Sequence, residues 1–308
     1  MNRPRVGFAG TSAWAADALS LLAGDPELEL ALVLSQPDRP AGRGRSVRRP
    51  PVAERALELG LPVLQPERPG EVLDDLREAE LGAMAVVAYG ELVPRSLLDA
   101  VPWLNLHPSR LPRWRGAAPI ERAIMAGDDE LAACVILLVQ ALDAGPIAAC
   151  EPFTLAGEET AVDAYRRALE LGAPLLARAL ASAAHGRLAT VPQVGEPTYA
   201  AKLGREDLAL DPHGPWAEQH ARVRALAATT GARLGIDDGT LSVWRSRAAA
   251  DAPALAPGGL ALDDGRLLLG CADGSLELVE VQPAGRRRMP AAAWARGIRG
   301  ALPVGARP

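Results

Sequence analysis

The chain opens on a short apolar run, Arg5 to Ala9, that stops at Gly10. From Ala13 to Leu22 the apolar positions Trp14, Ala18, Leu21 and Leu22 recur at helical spacing. The alternation then repeats. Apolar runs at Leu28 to Leu34, Leu61 to Leu64, Met84 to Ala88 and Trp103 to His107 predict strands, and Val52 to Leu59 predicts a helix. These runs are mostly apolar, as strands buried on both faces are, and the intervening helices predict a parallel α/β sheet. Gly10 closes the first strand-to-helix turn as in nucleotide-binding folds, but no complete GxGxxG follows, so a dinucleotide site is not supported. Ala133 to Val139 predicts a further strand and Ala161 to Ala184 one long helix.

Past that helix the pattern changes. Leu188 to Tyr199 loses its periodicity and holds Pro192 and Pro197, which predicts a linker. Trp216 to Ala228 predicts one helix. Short runs follow at Ala232 to Ile236, Leu241 to Arg245, Gly259 to Ala261, Arg266 to Cys271 and Ser275 to Val281. The Asp-Gly pairs 238–239, 264–265 and 273–274 punctuate them, which predicts a small antiparallel barrel. The expected organisation is therefore a domain over 1–187, a linker over 188–204 and a second domain over 205–308.

Composition narrows the class. A chain of 308 residues is about twice a typical single domain, and 49% hydrophobic residues suffice for full cores. No apolar run reaches the roughly 18 residues of a membrane span, and the first residues do not read as a signal peptide. A cytoplasmic, monomeric protein is expected. Cys134, Cys150 and Cys271 are distant from one another and form no CxxC pair, so neither a zinc site nor a disulfide framework is expected, only reduced, mostly buried thiols. A net charge of −5 argues against a nucleic-acid coat but leaves room for a local basic patch. The positive charge is almost all arginine, with Lys202 the one lysine, which reads as the codon bias of a GC-rich genome.

The densest chemistry runs from Asn105 to Ile120, NLHPSRLPRWRGAAPI. Asn105 and His107, two apart, share one face if the strand persists to its end, and Pro108 and Pro112 then force an extended loop. An amide and an imidazole on one face suit acyl transfer, because both can donate to an oxygen that becomes negative in a tetrahedral intermediate. A carboxylate is still needed to orient the imidazole and accept a proton. Asp143, before two small residues at a turn, can supply it. Taken singly, each of these residues is more often a hydrogen-bonded or turn-forming residue; their combination with the proline-rich loop favours a shared site. The stretch Gln36 to Pro51 carries Arg39, Arg43, Arg45, Arg48 and Arg49 among glycines and prolines. It reads either as a solvated loop or as a set of phosphate contacts.

The run from Asn105 closely resembles the signature of the methionyl-tRNA formyltransferase family. The resemblance extends to Gly10-Thr11, to Gln36-Pro37-Asp38-Arg39-Pro40-Ala41-Gly42-Arg43-Gly44 and to Val87-Ala88-Tyr89-Gly90 with Pro94. It continues through Leu142-Asp143-Ala144-Gly145, Thr198-Tyr199-Ala200 with Lys202, and Gln282-Pro283-Ala284-Gly285 with Met289. It implies a Rossmann-like formyltransferase domain followed by a barrel resembling an OB-fold. It also implies formyl transfer from 10-formyltetrahydrofolate to the α-amine of methionine on initiator tRNA, without a metal. Asn105, His107 and Asp143 become the catalytic trio. Tyr89, Gly90, Ser109, Arg110, Leu111 and Pro112 become folate-binding residues. Arg39, Arg43, Arg45, Arg48 and Arg49 become contacts to the RNA acceptor end, joined by Lys202, Arg286, Arg287 and Arg288.

The chain departs from the family pattern in three places. Arg110 replaces a leucine, LAACVI over residues 131–136 removes a hydroxyl at Cys134, and ALAATTGAR over 225–233 replaces an aromatic barrel entry. The alternative reading is a folate-dependent formyltransferase acting on an amino-sugar nucleotide, which shares the same trio. A tRNA-binding protein without activity and a glycinamide-ribonucleotide-type transferase are disfavoured, the first by the intact trio and the second by the long C-terminal region.

Overall fold

The computed structural model of the chain describes residues 3–41, 46–237 and 239–306. Arg43, Arg45 and Asp238, each singled out above, lie outside the described residues. The chain divides into two compact units. One comprises Met1–Ala117, Leu131–Phe153 and Tyr165–Tyr199; the other comprises Ala118–Glu130, Thr154–Ala164 and Ala200–Pro308.

The first unit contains strands β1 (Arg5–Gly10), β2 (Glu29–Leu34), β3 (Arg39–Ala41), β4 (Ser46–Arg48), β5 (Val63–Leu64), β6 (Ala83–Val87) and β7 (Trp103–His107). After these come β8 (Arg115–Gly116), β9 (Glu130–Leu137) and β10 (Ile147–Thr154). Seven of them form one sheet in the order β10-β9-β7-β6-β1-β2-β5. β1, β2, β5, β6 and β7 are parallel, as expected. β9 instead runs antiparallel to β7, with His107 opposite Cys134 and Leu104 opposite Leu137. The sheet is mixed because an unbroken apolar run records burial on both faces and says nothing about strand direction. β3 and β4 pair as a separate antiparallel ladder, so the arginine-bearing stretch contains a hairpin where a loop was expected.

β7 is held from both sides. Met84, Leu97 and Trp103 join one apolar core with Leu34 and Val86, and the Trp103 indole N–H donates to the Leu97 carbonyl at 2.9 Å. Behind the strand runs the helix Ala161–Ala184. A Cβ on its Gly172 would strike the Leu106 side chain, so only glycine lets the helix come this close to β7. With Leu106 committed to that side, Asn105 and His107 face the other.

Cys134 and Cys150 form a disulfide, with 4.0 Å between their Cα atoms. This corrects the expectation of three reduced thiols. The two are 16 residues apart in sequence, but β9 and β10 are sheet neighbours, and pairing between strands is not visible in cysteine spacing. Cys271 stays a free, buried thiol, its pKa pushed up to about 12 chiefly by burial.

In the second unit, following the short β11 (Tyr199–Ala200), come β12 (Ala232–Ile236), β13 (Gly239–Ala248), β14 (Leu260–Asp263), β15 (Arg266–Cys271), β16 (Gly274–Pro283) and β17 (Met289–Pro290). They pair antiparallel in the order β12-β13-β16-β15-β14, with β17 on β16. The last residues tie the two edges together. Gly305 N–H donates to the Gly258 carbonyl just before β14, and Ala306 exchanges two hydrogen bonds with Gly235 of β12. The C-terminal segment thus hydrogen-bonds beside both ends of this strand order. Leu226, Leu234, Leu267, Leu276 and Leu278 fill the core of this unit. No helix among the described residues is long and apolar enough to cross a membrane.

Candidate active site

Asn105, His107 and Asp143 meet over the last three residues of β7. The Asn105 amide donates to Asp143 Oδ1 at 3.2 Å, and His107 Nδ1 lies 3.7 Å from Asp143 Oδ2. All three side chains are buried. Asp143 arrives from the turn between β9 and β10. Because β9 is antiparallel, it finishes beside the start of β7, and residues 138–146 turn there before β10. A Cβ on Gly145 would run into the Leu137 carbonyl oxygen, so the turn closes this tightly only with glycine at that position.

The remaining bonds fix what each group can do. His107 Nε2 is 2.8 Å from the Trp114 carbonyl oxygen, an acceptor, so Nε2 carries a proton and donates there. Nδ1 is then the ring atom that faces the carboxylate and any group placed beside it. The Gly116 N–H donates to Asp143 Oδ2 at 2.8 Å. One N–H of Asn105 is used on Asp143; the amide carries a second. The site therefore presents donors and one carboxylate in a small buried volume, the combination that stabilises a developing oxyanion and takes up a proton.

The loop after β7 is shaped by its own polar atoms. Ser109 Oγ donates to the Arg113 carbonyl at 2.7 Å, and Leu111 packs against Ala132, Cys134 and Ile136. Ser109 is fully buried and Arg110 exposed, and the Leu111–Pro112 peptide is cis. Of the expected folate contacts, the side chains of Ser109 and Leu111 are thus spent on the protein itself. Tyr89 is buried with its phenol pushed up to about 12 by desolvation and then by Glu91. Its carbonyl accepts from Thr11 Oγ1 at 2.7 Å and Gln36 Nε2 at 3.1 Å. Gly90, exposed, takes a left-handed φ of 83°.

The arginines form a different kind of surface. Arg39 and Arg48 are exposed and sit directly opposite one another on the hairpin, a like-charge pair that repels unless an anion lies nearby. The hairpin base is tied by Gln65, whose amide donates to Gln36 O and Asp38 Oδ1 at 2.8 Å each, and Asp38 lies 4.0 Å from Arg49. Lys202, Arg286, Arg287 and Arg288 are exposed in the second unit. Arg288 stacks on the Trp244 ring, 3.1 Å from its centroid, and Trp244 in turn donates to Gln282.

Sequence reading missed Gln193, which touches the Asp143 turn from the stretch taken as a linker. Its position between Pro192 and Pro197 resembles any exposed loop, and no local pattern marks it.

Residues 6–180 match the model of the formyl transferase family, and residues 202–299 match that of the formyl transferase C-terminal domain. The methionyl-tRNA formyltransferase of Arthrobacter sp. (strain FB24) is 40% identical over 297 residues, covering 95% of this chain and 96% of that protein. That of Clavibacter sepedonicus is 41% identical over 305 residues, covering 96% and 97%. Among solved structures, a variant of HypX from Aquifex aeolicus superposes with a TM-score of 0.70 at 16% identity, over 97% of this chain. The chain spans about half, 49%, of the HypX chain. An N-formyltransferase from Helicobacter canadensis superposes with a TM-score of 0.65 at 13% identity, covering 89% of this chain and 98% of that one. An amide, an imidazole and a carboxylate gathered over one strand are thus found within a sequence matched nearly end to end, and the chain belongs to the formyl transferase family.

Proposed function

We propose that this protein transfers the formyl group of 10-formyltetrahydrofolate to the α-amine of the methionine carried by initiator tRNA. The observation that carries the reading is the convergence of Asn105, His107 and Asp143 beneath the loop from Ser109 to Gly116. The neutral amine attacks the formyl carbon and a new C–N bond forms. The formyl oxygen becomes negative and is met by the second N–H of Asn105 and by a proton on His107 Nδ1. Asp143 takes the proton that the amine loses, directly or through water. The intermediate then collapses, the bond from carbon to N10 of the folate breaks, and that nitrogen leaves with the proton Asp143 had taken, directly or through the same water, which restores the carboxylate. Polarisation comes from donors fixed before the reaction, which is the most economical use of a buried polar site.

Substrate contacts follow from the exposed groups. The folate is taken to lie along Tyr89-Gly90 and Ser109 to Pro112, where Arg110 is exposed. The hairpin arginines Arg39, Arg48 and Arg49, with Arg43 and Arg45 between them, are assigned to phosphates of the acceptor end. Lys202, Arg286, Arg287 and Arg288 are assigned to phosphates elsewhere on the RNA. The opposed Arg39 and Arg48 support this assignment. The first domain, 1–187, would carry folate and chemistry and the second, 205–308, RNA; the reading places a single chain at work in the cytoplasm, where aminoacyl-tRNA is used.

The test is formylation by the purified protein with a labelled formyl donor, offered initiator methionyl-tRNA, elongator methionyl-tRNA and an amino-sugar nucleotide. Label on the initiator species is expected. Label on the sugar nucleotide alone would transfer the chemistry to a different acceptor and end the reading.

A further inference from the structure

We infer that Gln193, clamped by Arg115, is a positioning residue that sets the backbone of Asp143 and so aims its carboxylate. The inference rests on the formyl-transfer reading above for what the carboxylate does, but its geometry is independent of the substrate.

Asp143 is the one member of the trio that sits in a turn, and it does so with a φ of 46°, in the left-handed region that side-chain-bearing residues seldom adopt. Such a conformation persists only when its surroundings over-determine it. Gln193 supplies the constraint. Its Nε2 donates to the carbonyl oxygens of Asp143 and Gly145, both at 2.8 Å, so that one amide nitrogen spans the turn. Its Oε1 accepts from Arg115 Nε at 3.1 Å and Nη2 at 2.7 Å. The amide therefore has one allowed orientation. Flipped, its oxygen would face two carbonyl oxygens and its NH2 a guanidinium, and every contact would be repulsive.

The clamp joins the two segments that hold the carboxylate. Arg115 begins β8, and the next residue, Gly116, donates its N–H to Asp143 Oδ2. The stretch bearing Gln193 is itself pinned at both ends. Val191 exchanges backbone hydrogen bonds with Ile147 at 2.8 and 2.9 Å, just after the turn. Thr198 receives the backbone N–H of Arg115 on its carbonyl and that of Trp114 on its hydroxyl, each at 2.9 Å. Trp114 also provides the carbonyl that orients His107. The stretch 191–198 thus acts on both sides of the trio without touching the reacting atoms.

Two variants separate positioning from folding. Gln193→Met keeps the length and removes all four hydrogen bonds. Gln193→Glu keeps the acceptor for Arg115 but turns an oxygen toward the carbonyls of Asp143 and Gly145. Both are expected to lower kcat by about 10- to 100-fold, as a misplacement of about 1 Å does, with KM for donor and RNA within about two-fold. The effect of Gln193→Met is expected to fall to within about two-fold when Asp143 is already Asn, because both changes act through one carboxylate. An unchanged kcat in both variants, or a full additive loss on the Asp143→Asn background, would overturn the inference. Crystal structures of the variants provide an arm that needs no substrate. The inference predicts that Asp143 leaves the left-handed region or loses its bond to the Gly116 N–H; an unmoved turn would contradict it. If the wild-type protein formylates no methionyl-tRNA, the functional reading fails while the structural arm still judges the clamp.

Discussion

The trio and the arginine hairpin belong to the same unit and are built on opposite terms. Asn105, His107 and Asp143 are buried, and their polar atoms are cross-bonded to one another, to Trp114 and to Gly116. Arg39 and Arg48 are exposed and face each other across a ladder, with hydrogen bonds at the base of the hairpin from Gln65. The difference separates two tasks. Chemistry needs donors that are already aimed when charge develops, since reorganising them would cost rate. Capture of a polyanion needs only charge near a surface, and that term is screened by salt.

Mutations can break this comparison. The largest effect is expected for Asn105→Ala, which removes an oxyanion donor and leaves Asp143 with one partner fewer. Its kcat should fall on the order of 10²- to 10³-fold while KM for the RNA stays within about two-fold. Steady-state kinetics checks this, and a loss confined to KM would place Asn105 in binding. The double variant Arg39→Ala with Arg48→Ala should behave the other way. Its kcat is retained, KM for the RNA rises on the order of ten-fold at moderate salt, and the slope of log affinity against log salt flattens by roughly 1.4, or about 0.7 for each lost contact. A salt slope equal to that of the wild type would deny these arginines a phosphate.

A smaller effect tests the second unit. Burial lowers the His220 pKa, with Arg224 acting the same way and Glu158 opposing, and its Nδ1 is 2.9 Å from Ser246 Oγ. An imidazole that resists protonation when folded but accepts a proton near pH 6.5 when unfolded contributes stability above that pH and loses it below. Thermal unfolding at pH 7.5 and 5.5 should show a steeper fall for the wild type than for His220→Gln. Equal falls would mean that burial does not hold the ring neutral. Asp207 does not blur this window. Its carboxylate is held below the usual range by the two bonds from Arg122, so its contribution is lost only in more acid solution.

Part of the fold and of the site is legible in the amino-acid sequence. The bounds of β7 and of the helix Ala161–Ala184 follow from the apolar and periodic positions of those stretches, and the shared face of Asn105 and His107 follows from strand geometry. What stayed hidden depends on contacts between distant segments. The direction of β9 leaves no trace in a run buried on both faces. The Cys134–Cys150 bond requires knowing that β9 and β10 are neighbours. β10, with its partly exposed pattern, lacks the continuous apolar signal that marked the central strands. Gln193 carries no local signature, because its partners are backbone carbonyls and an arginine 78 residues away. That Arg39 and Arg48 stand opposite one another follows from the pairing of β3 with β4, which charge and composition do not reveal.

Single-turnover formylation, with enzyme in excess over initiator methionyl-tRNA and saturating folate donor, tests the central separation most directly. Run side by side, Asn105→Ala should form formylmethionyl-tRNA at least about 100-fold more slowly than wild type, whereas the Arg39→Ala, Arg48→Ala protein should match wild type once its concentration saturates the RNA. A wild-type rate for Asn105→Ala would contradict the account, because the amide over β7 would then have no part in the chemistry.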